Sequence, residues 1–172
     1  MWQEIKGIKS VLELRTGFLA FVTSIIGGLM ALVDNGSINW ILFLLMVSAS
    51  YLINIIANVA NELGGNSKED KVDTIHDDYS GASGLVRGDT TKKKAAIVLF
   101  LLLLISGGLG LLIVLISGMY EILVVGIICV LFALGYALGP KPYIKYPTSE
   151  PISGIMVGSM PLWIAYYIQV GH

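Results

Sequence analysis

An all-α integral membrane bundle of about five transmembrane helices is the fold this sequence predicts, and three observations carry that reading. First, only 13% of the 172 residues are charged and 55% are hydrophobic, with a mean hydropathy of +0.79. A soluble globular chain carries about 25% charged residues. Second, five stretches approach the roughly 20 predominantly apolar residues that a membrane helix needs. Third, all 11 Lys and Arg fall in three places, which a five-span topology puts on one side of the bilayer. The same figures exclude a water-soluble enzyme and a disordered chain. A formal net charge of −1 lacks the basic excess of a nucleic-acid binder. Cys129 stands alone in an apolar run, which excludes a disulfide scaffold. The N-terminus shows no short apolar core ending in a small-residue cleavage site.

The chain opens with Trp2, Ile5, Ile8, Val11 and Leu12 at helical spacing, and Gln3, Glu4, Lys6, Lys9 and Ser10 fill the opposite face. This is either a short interfacial helix lying on the bilayer or a polar start to the first span. The first span is expected over 14–33, ending at the turn signal Asp34-Asn35-Gly36-Ser37. The second covers 38–60, with Trp40 as an interface anchor. The loop over 64–94 is the one sizeable polar region, and a structureless connection of that length is usually functional. The third span covers 95–116 and includes Gly107-Gly108-Leu109-Gly110, read as a place of close helix packing. The fourth covers 122–138, followed by a loop over 139–151. The fifth covers 152–170 and is interrupted or flanked by Pro151, Pro161 and Gln169. The side without Lys or Arg carries only Asp34, Glu121 and His172. The positive-inside rule therefore places the N-terminus and both large loops in the cytoplasm and the C-terminus outside.

Span two carries Asn54, Asn58, Asn61 and Glu62 at spacings that follow one helical face. Carboxamides in hydrocarbon need partners, so this stripe either glues helices together or faces a polar cavity. Glu62 continues into Glu69, Asp70, Asp73, Asp77 and Asp78. Such hard oxygens at a membrane surface suit Mg²⁺, which is commonly held by carboxylates plus substrate phosphates; the bland alternative is a solvated acidic loop. Lys68, Lys71, Arg87 and Lys92-Lys93-Lys94 lie in the same region. They could meet phosphate oxygens, while Lys92 to Lys94 read first as anchors at anionic lipid. Beyond span four, Tyr136, Tyr143 and Tyr146 alternate with Pro140, Lys141, Pro142, Lys145 and Pro147 in a rigid basic-aromatic segment. An interfacial aromatic belt with snorkelling lysines explains its composition, but not why two such loops face the same side. His76 and His172 are too isolated to ligate a metal, and no catalytic triad, Walker loop or dinucleotide glycine pattern occurs.

At these two loops the sequence resembles a known family. Asn58-Val59-Ala60-Asn61-Glu62, with Asp70-Lys71-Val72-Asp73 beyond, resembles the first aspartate-rich motif of the UbiA superfamily of membrane prenyltransferases. The nearest branch by this resemblance is the one that prenylates 1,4-dihydroxy-2-naphthoate in menaquinone biosynthesis. Leu14-Arg15-Thr16 is similar to the stretch opening the family's first helix, and Tyr136 through Pro142, with Glu150, to the segment after its fourth. The resemblance implies Mg²⁺-assisted ionisation of an isoprenoid diphosphate and capture of the allylic cation by an aromatic acceptor. It implies that Asn61, Glu62, Asp70 and Asp73 hold the metal. It implies that Arg15, Asn58, Asn61, Arg87, Tyr136 and Lys141 contact diphosphate or substrate. Two departures stand out: Glu62 replaces the motif's Asp, and Gly65 stands where its next Asp belongs.

The family fold has about nine spans, each needing about 20 apolar residues, whereas the sequence ends at His172 before the family's second acidic motif. The resemblance therefore implies the N-terminal part of that bundle, a truncated or split enzyme completed by a second chain. The alternative is a non-catalytic membrane remnant or an accessory subunit. The expected setting is the cell membrane of a bacterium or archaeon, with lipid around the bundle and no nucleic-acid partner.

Overall fold

The computed structural model describes residues 11–12, 14, 17–64 and 90–171. Among these, every regular element is helical. The elements are α1 (Phe18–Asn35), α2 (Trp40–Gly64), α3 (Lys92–Ser117), α4 (Glu121–Gly135), a 3-10 turn (Tyr143–Lys145) and α5 (Ser149–Val170). α1, α2, α3 and α5 are long and apolar enough to cross a membrane, and α4 is a shorter apolar helix.

Local chemistry sets the helix ends. Gly36 and Gly118 both adopt φ 72°, the left-handed region where a Cβ is disfavoured. Their N–H groups donate back to Leu32 and Val114 carbonyls at 2.9 and 2.8 Å, closing α1 and α3. Asn39 Oδ1 accepts from the amides of Ile41 and Leu42 and caps α2. Thr91 Oγ1 does the same for α3 through the Lys94 amide. α2 runs four residues beyond the expected end of span two, so Asn61 and Glu62 are helical. α4 stops at Gly135, three residues short of the expected span, because the chain turns through Gly139 at φ 106°.

Consecutive helices run antiparallel. At one end of the bundle Tyr166 donates to Asp34 Oδ2 at 2.8 Å and Tyr167 to Glu121 Oε1 at 3.1 Å. Gln169, buried at 6% exposure, accepts from the Asn39 amide at 2.8 Å and donates to the Asn39 carbonyl at 3.2 Å. Both connecting turns at that end, between α1 and α2 and between α3 and α4, are thus tied to the last turns of α5. The opposite end carries Lys92, Lys93, Lys94, Lys141 and Lys145, all exposed.

The tightest packing is between α1 and α5. Ala20, Ser24, Gly27, Gly28 and Ala31 form the buried face of α1, a run of small residues that lets backbones approach. A Cβ on Gly27 would overlap the Leu162 carbonyl oxygen of α5. The glycines expected to pack closely do not: a Cβ added at Gly107, Gly108 or Gly110 would meet nothing within 4 Å, because these positions point away from the bundle's interior contacts. Helix α5 contains a π turn over Ile155–Ser159 just before Pro161. Proline has no N–H for the Val157 carbonyl four residues earlier. The Thr23 hydroxyl of α1 lies 3.1 Å from that carbonyl, as it does from its own Leu19 and Ala20 carbonyls.

Two apolar clusters complete the core. One joins Leu42, Met46, Ile113, Ile122 and Ile164 toward the Gln169 end. The other joins Val11, Ile55, Ile56, Val59, Ala95 and Leu99 toward the lysine end. Val11, from the segment read as interfacial or as a polar start, is buried against α2. Outward-facing Phe100, Leu104, Leu115, Val124 and Leu131 leave α3 and α4 with apolar exposed surfaces.

Candidate functional site

A cavity of about 370 Å³ lies among α1, α2, α4 and α5. α2 supplies Met46, Ser50, Ile53, Asn54, Ala57 and Asn58, and α4 supplies Cys129 and Ala133. α5 contributes Ser153, Gly154, Met156, Val157, Pro161 and Ile164, so its π turn and proline form one wall. π turns inside helices often accompany functional sites. Tyr136 and Tyr143 line the remaining side. Among the described residues the lining is mostly apolar and contains no charged side chain.

The asparagine stripe divides in three dimensions. Asn54 and Asn58 face the cavity, as does Ser50 one turn earlier. Asn61 is half-buried in the last turn of α2 and does not line it. Glu62, at 5% exposure, follows Ile55 and Val59 at spacings of seven and three, on the side of α2 that packs against α3. The expected single face is therefore corrected to two neighbouring ones. Each residue advances about 100° around the helix, so one further step from Asn61 carries Glu62 out of line. Ser50 Oγ, Asn54 Oδ1 and Asn61 Oδ1 are buried and find no hydrogen-bond partner among the described residues.

The segment after α4 folds back onto the bundle. Tyr143 donates to the Phe132 carbonyl at 2.8 Å, and the Ile144 amide donates to the Tyr136 carbonyl at 3.0 Å. The Tyr143 ring meets Tyr136 edge-on at 5.3 Å and Phe132 at 6.2 Å. Burial, and secondarily the neighbouring Tyr136, push the Tyr143 phenol up to about 12; burial also raises Tyr136. Both phenols are neutral near pH 7 and present hydrogen-bonding hydroxyls.

Of the residues expected in the site, Asn58 and Tyr136 line the cavity. Lys141 is exposed on the turn between Gly139 and Pro142 and does not line it. Arg15, Asp70, Asp73 and Arg87 lie outside the described residues. Among the described residues no three of His, Cys, Asp and Glu come together. Ser50, Cys129, Tyr143 and Ser153 were not among the expected site residues, although Tyr143 belongs to the basic-aromatic segment singled out after span four. Ser50 could have been found as the next residue back along the Asn54–Asn58 spacing. Tyr143 could not, because only the reversal at Gly139 brings it onto α4.

The UbiA prenyltransferase family matches residues 20–172. No curated protein and no solved structure matches at a significant level.

Proposed function

This chain belongs to the UbiA prenyltransferase family, and from that premise we propose that it transfers a polyprenyl group from its diphosphate to 1,4-dihydroxy-2-naphthoate, as in menaquinone biosynthesis. The observation that carries the reading is the cavity itself: an apolar chamber with Asn54 and Asn58 on its wall and two neutral tyrosines on one side. Members of the family take isoprenoid diphosphates and aromatic acceptors in general.

Transfer breaks the bond between the prenyl C1 and the diphosphate oxygen, and the electron pair leaves with the diphosphate. A ring carbon of the acceptor then forms the new carbon–carbon bond, and in the naphthoate branch the ring sheds its carboxylate as CO₂. An allylic cation needs shelter from water, which the apolar lining of α2, α4 and α5 provides. The hydroxyls of Tyr136 and Tyr143 and the carboxamide of Asn58 orient substrate at the wall.

Asn61, Glu62, Asp70 and Asp73 would hold Mg²⁺ in this reading, since hard oxygen donors suit that cation. Asn61 offers a carboxamide oxygen that accepts no hydrogen bond among the described residues, and Glu62 carries its carboxylate on the neighbouring face of α2. Asp70 and Asp73 follow in the sequence. These residues would place Mg²⁺ where it would offset charge on the departing diphosphate. Arg15, Arg87 and Lys141 are proposed to contact that anion, on the cytoplasmic side of the membrane.

Proteoliposomes holding only this chain, supplied with a polyprenyl diphosphate, dihydroxynaphthoate and Mg²⁺, test the reading. Prenylated 1,4-dihydroxynaphthalene is expected, and Asn58→Ala or Asp70→Ala should remove it. Gly65, standing where the resembling motif has an aspartate, favours a second reading: a non-catalytic subunit of a split prenyltransferase. That reading gains if product appears only when a second chain with further spans is co-reconstituted.

A further inference from the structure

The cavity contains polar atoms that the proposed roles above do not use. Helical serines in an apolar environment usually satisfy themselves by donating to the carbonyl four residues back. Ser24 does so to Ala20 at 2.8 Å, and Ser48 to Leu44 at 2.8 Å. Ser50 does not, although it is only 5% exposed and its Oγ is buried. One turn further along the same wall, Asn54 Oδ1 is equally buried and equally unpartnered among the described residues. Two adjacent unsatisfied polar atoms in an apolar chamber are costly, and a ligand that completes them gains the difference.

The chemistry of that ligand follows from the wall. Among the described residues no charged side chain lines the cavity, so the wall around Ser50 and Asn54 suits a neutral group. A hydroxyl can both donate to a carboxamide oxygen and accept from a serine hydroxyl, meeting Asn54 and Ser50 together. Met46, Ile53, Ala133, Met156 and Ile164 surround the pair with apolar contacts suited to a flat ring. We propose that Ser50 and Asn54 form a neutral hydroxyl-recognition subsite that binds a ring hydroxyl of the aromatic acceptor and so selects phenolic acceptors over their ethers or unsubstituted analogues. Identifying this ligand as the acceptor rests on the prenyltransferase reading.

A binding measurement without turnover tests the subsite separately from catalysis. The full chain in nanodiscs is equilibrated by dialysis with 1-naphthol or with 1-methoxynaphthalene, with empty nanodiscs correcting for lipid partitioning. Wild type should prefer 1-naphthol by about ten-fold, the worth of one to two completed hydrogen bonds. Ser50→Ala and Asn54→Leu should each cut that preference to about two-fold while holding 1-methoxynaphthalene as before; Ser48→Ala, whose hydroxyl is already satisfied, should keep it. Absence of a preference in wild type, or its retention in both Ser50→Ala and Asn54→Leu, overturns the proposal. A preference that persists in a protein unable to prenylate sinks the catalytic reading and leaves the subsite standing. Prenylation without the preference does the reverse.

Discussion

Replacing Gly27 by alanine adds one methyl group at the closest approach of two helices. The new Cβ would sit 2.9 Å from the carbonyl carbon of Leu162 and 3.1 Å from its Cα, and would overlap the carbonyl oxygen. Carbon atoms pack best at about 3.5–4.0 Å, so α1 and α5 must part by on the order of 1 Å. The obstacle is backbone, which cannot turn aside as a side chain would. Overpacking of this kind costs about 1–3 kcal/mol, and the upper figure corresponds to a loss of about 100-fold in the folded-to-unfolded ratio. Both helices line the cavity, through Leu19 and Ala20 on one side and Val157, Pro161 and Ile164 on the other. Parting them should therefore expose Cys129, the single cysteine, which is buried on the same cavity. Reversible unfolding by SDS in mixed micelles measures the stability loss, and the rate of Cys129 modification by a maleimide measures the opening. Gly107→Ala is the control: its Cβ meets nothing within 4 Å, so it should be neutral or gain up to about 1 kcal/mol from helix propensity. The reasoning fails if Gly27→Ala unfolds at the wild-type midpoint with wild-type labelling, or if Gly107→Ala is equally damaging.

Thr23→Val removes the hydroxyl beside the Val157 carbonyl and should destabilise by about 0.6 kcal/mol, the mean for hydrogen bonds between membrane helices; the same SDS titration reads it. Gln169→Leu strips both hydrogen bonds from the Asn39 backbone and should cost about 1–3 kcal/mol, with faster amide exchange at Asn39 and the start of α2. The Tyr143 phenol is raised from 10.0 to about 12 in the fold, so folding favours its neutral form. That contribution is complete below about pH 10 and disappears as pH rises through about 12. Absorbance titration of tyrosinate should show a late-titrating signal near pH 12 that Tyr143→Phe reduces by one tyrosine. The same variant loses the bond to the Phe132 carbonyl and should loosen the turn after α4, seen as faster exchange over residues 143–146.

Much of the architecture is a sum over short windows of sequence, and such sums are legible without coordinates. The apolar runs predict the helices because each needs only its own composition to prefer hydrocarbon. Gly36 and Gly118 mark helix ends because the left-handed turn is a local demand. The described lysines, Lys92 to Lys94, Lys141 and Lys145, gather at one end because chain reversal alternates the helix ends. The Asn54–Asn58 spacing likewise points to a polar wall before any neighbour is known. What neighbours do is a different matter. Three glycines in α3 look like a packing motif, yet a Cβ added at any of them would meet nothing within 4 Å, whereas one on Gly27 would meet a carbonyl of α5. The difference lies in which faces approach, and that depends on every helix at once. Glu62, turned out of the asparagine stripe by one helical step, ends up buried because α3 packs on that side of α2. Ser50 becomes a candidate site only because α4 and α5 close an apolar chamber around it. Composition and spacing determined that this is a helical membrane protein with a polar stripe. Only the tertiary structure decided which polar atoms are enclosed without partners, because enclosure is a property of the assembled walls.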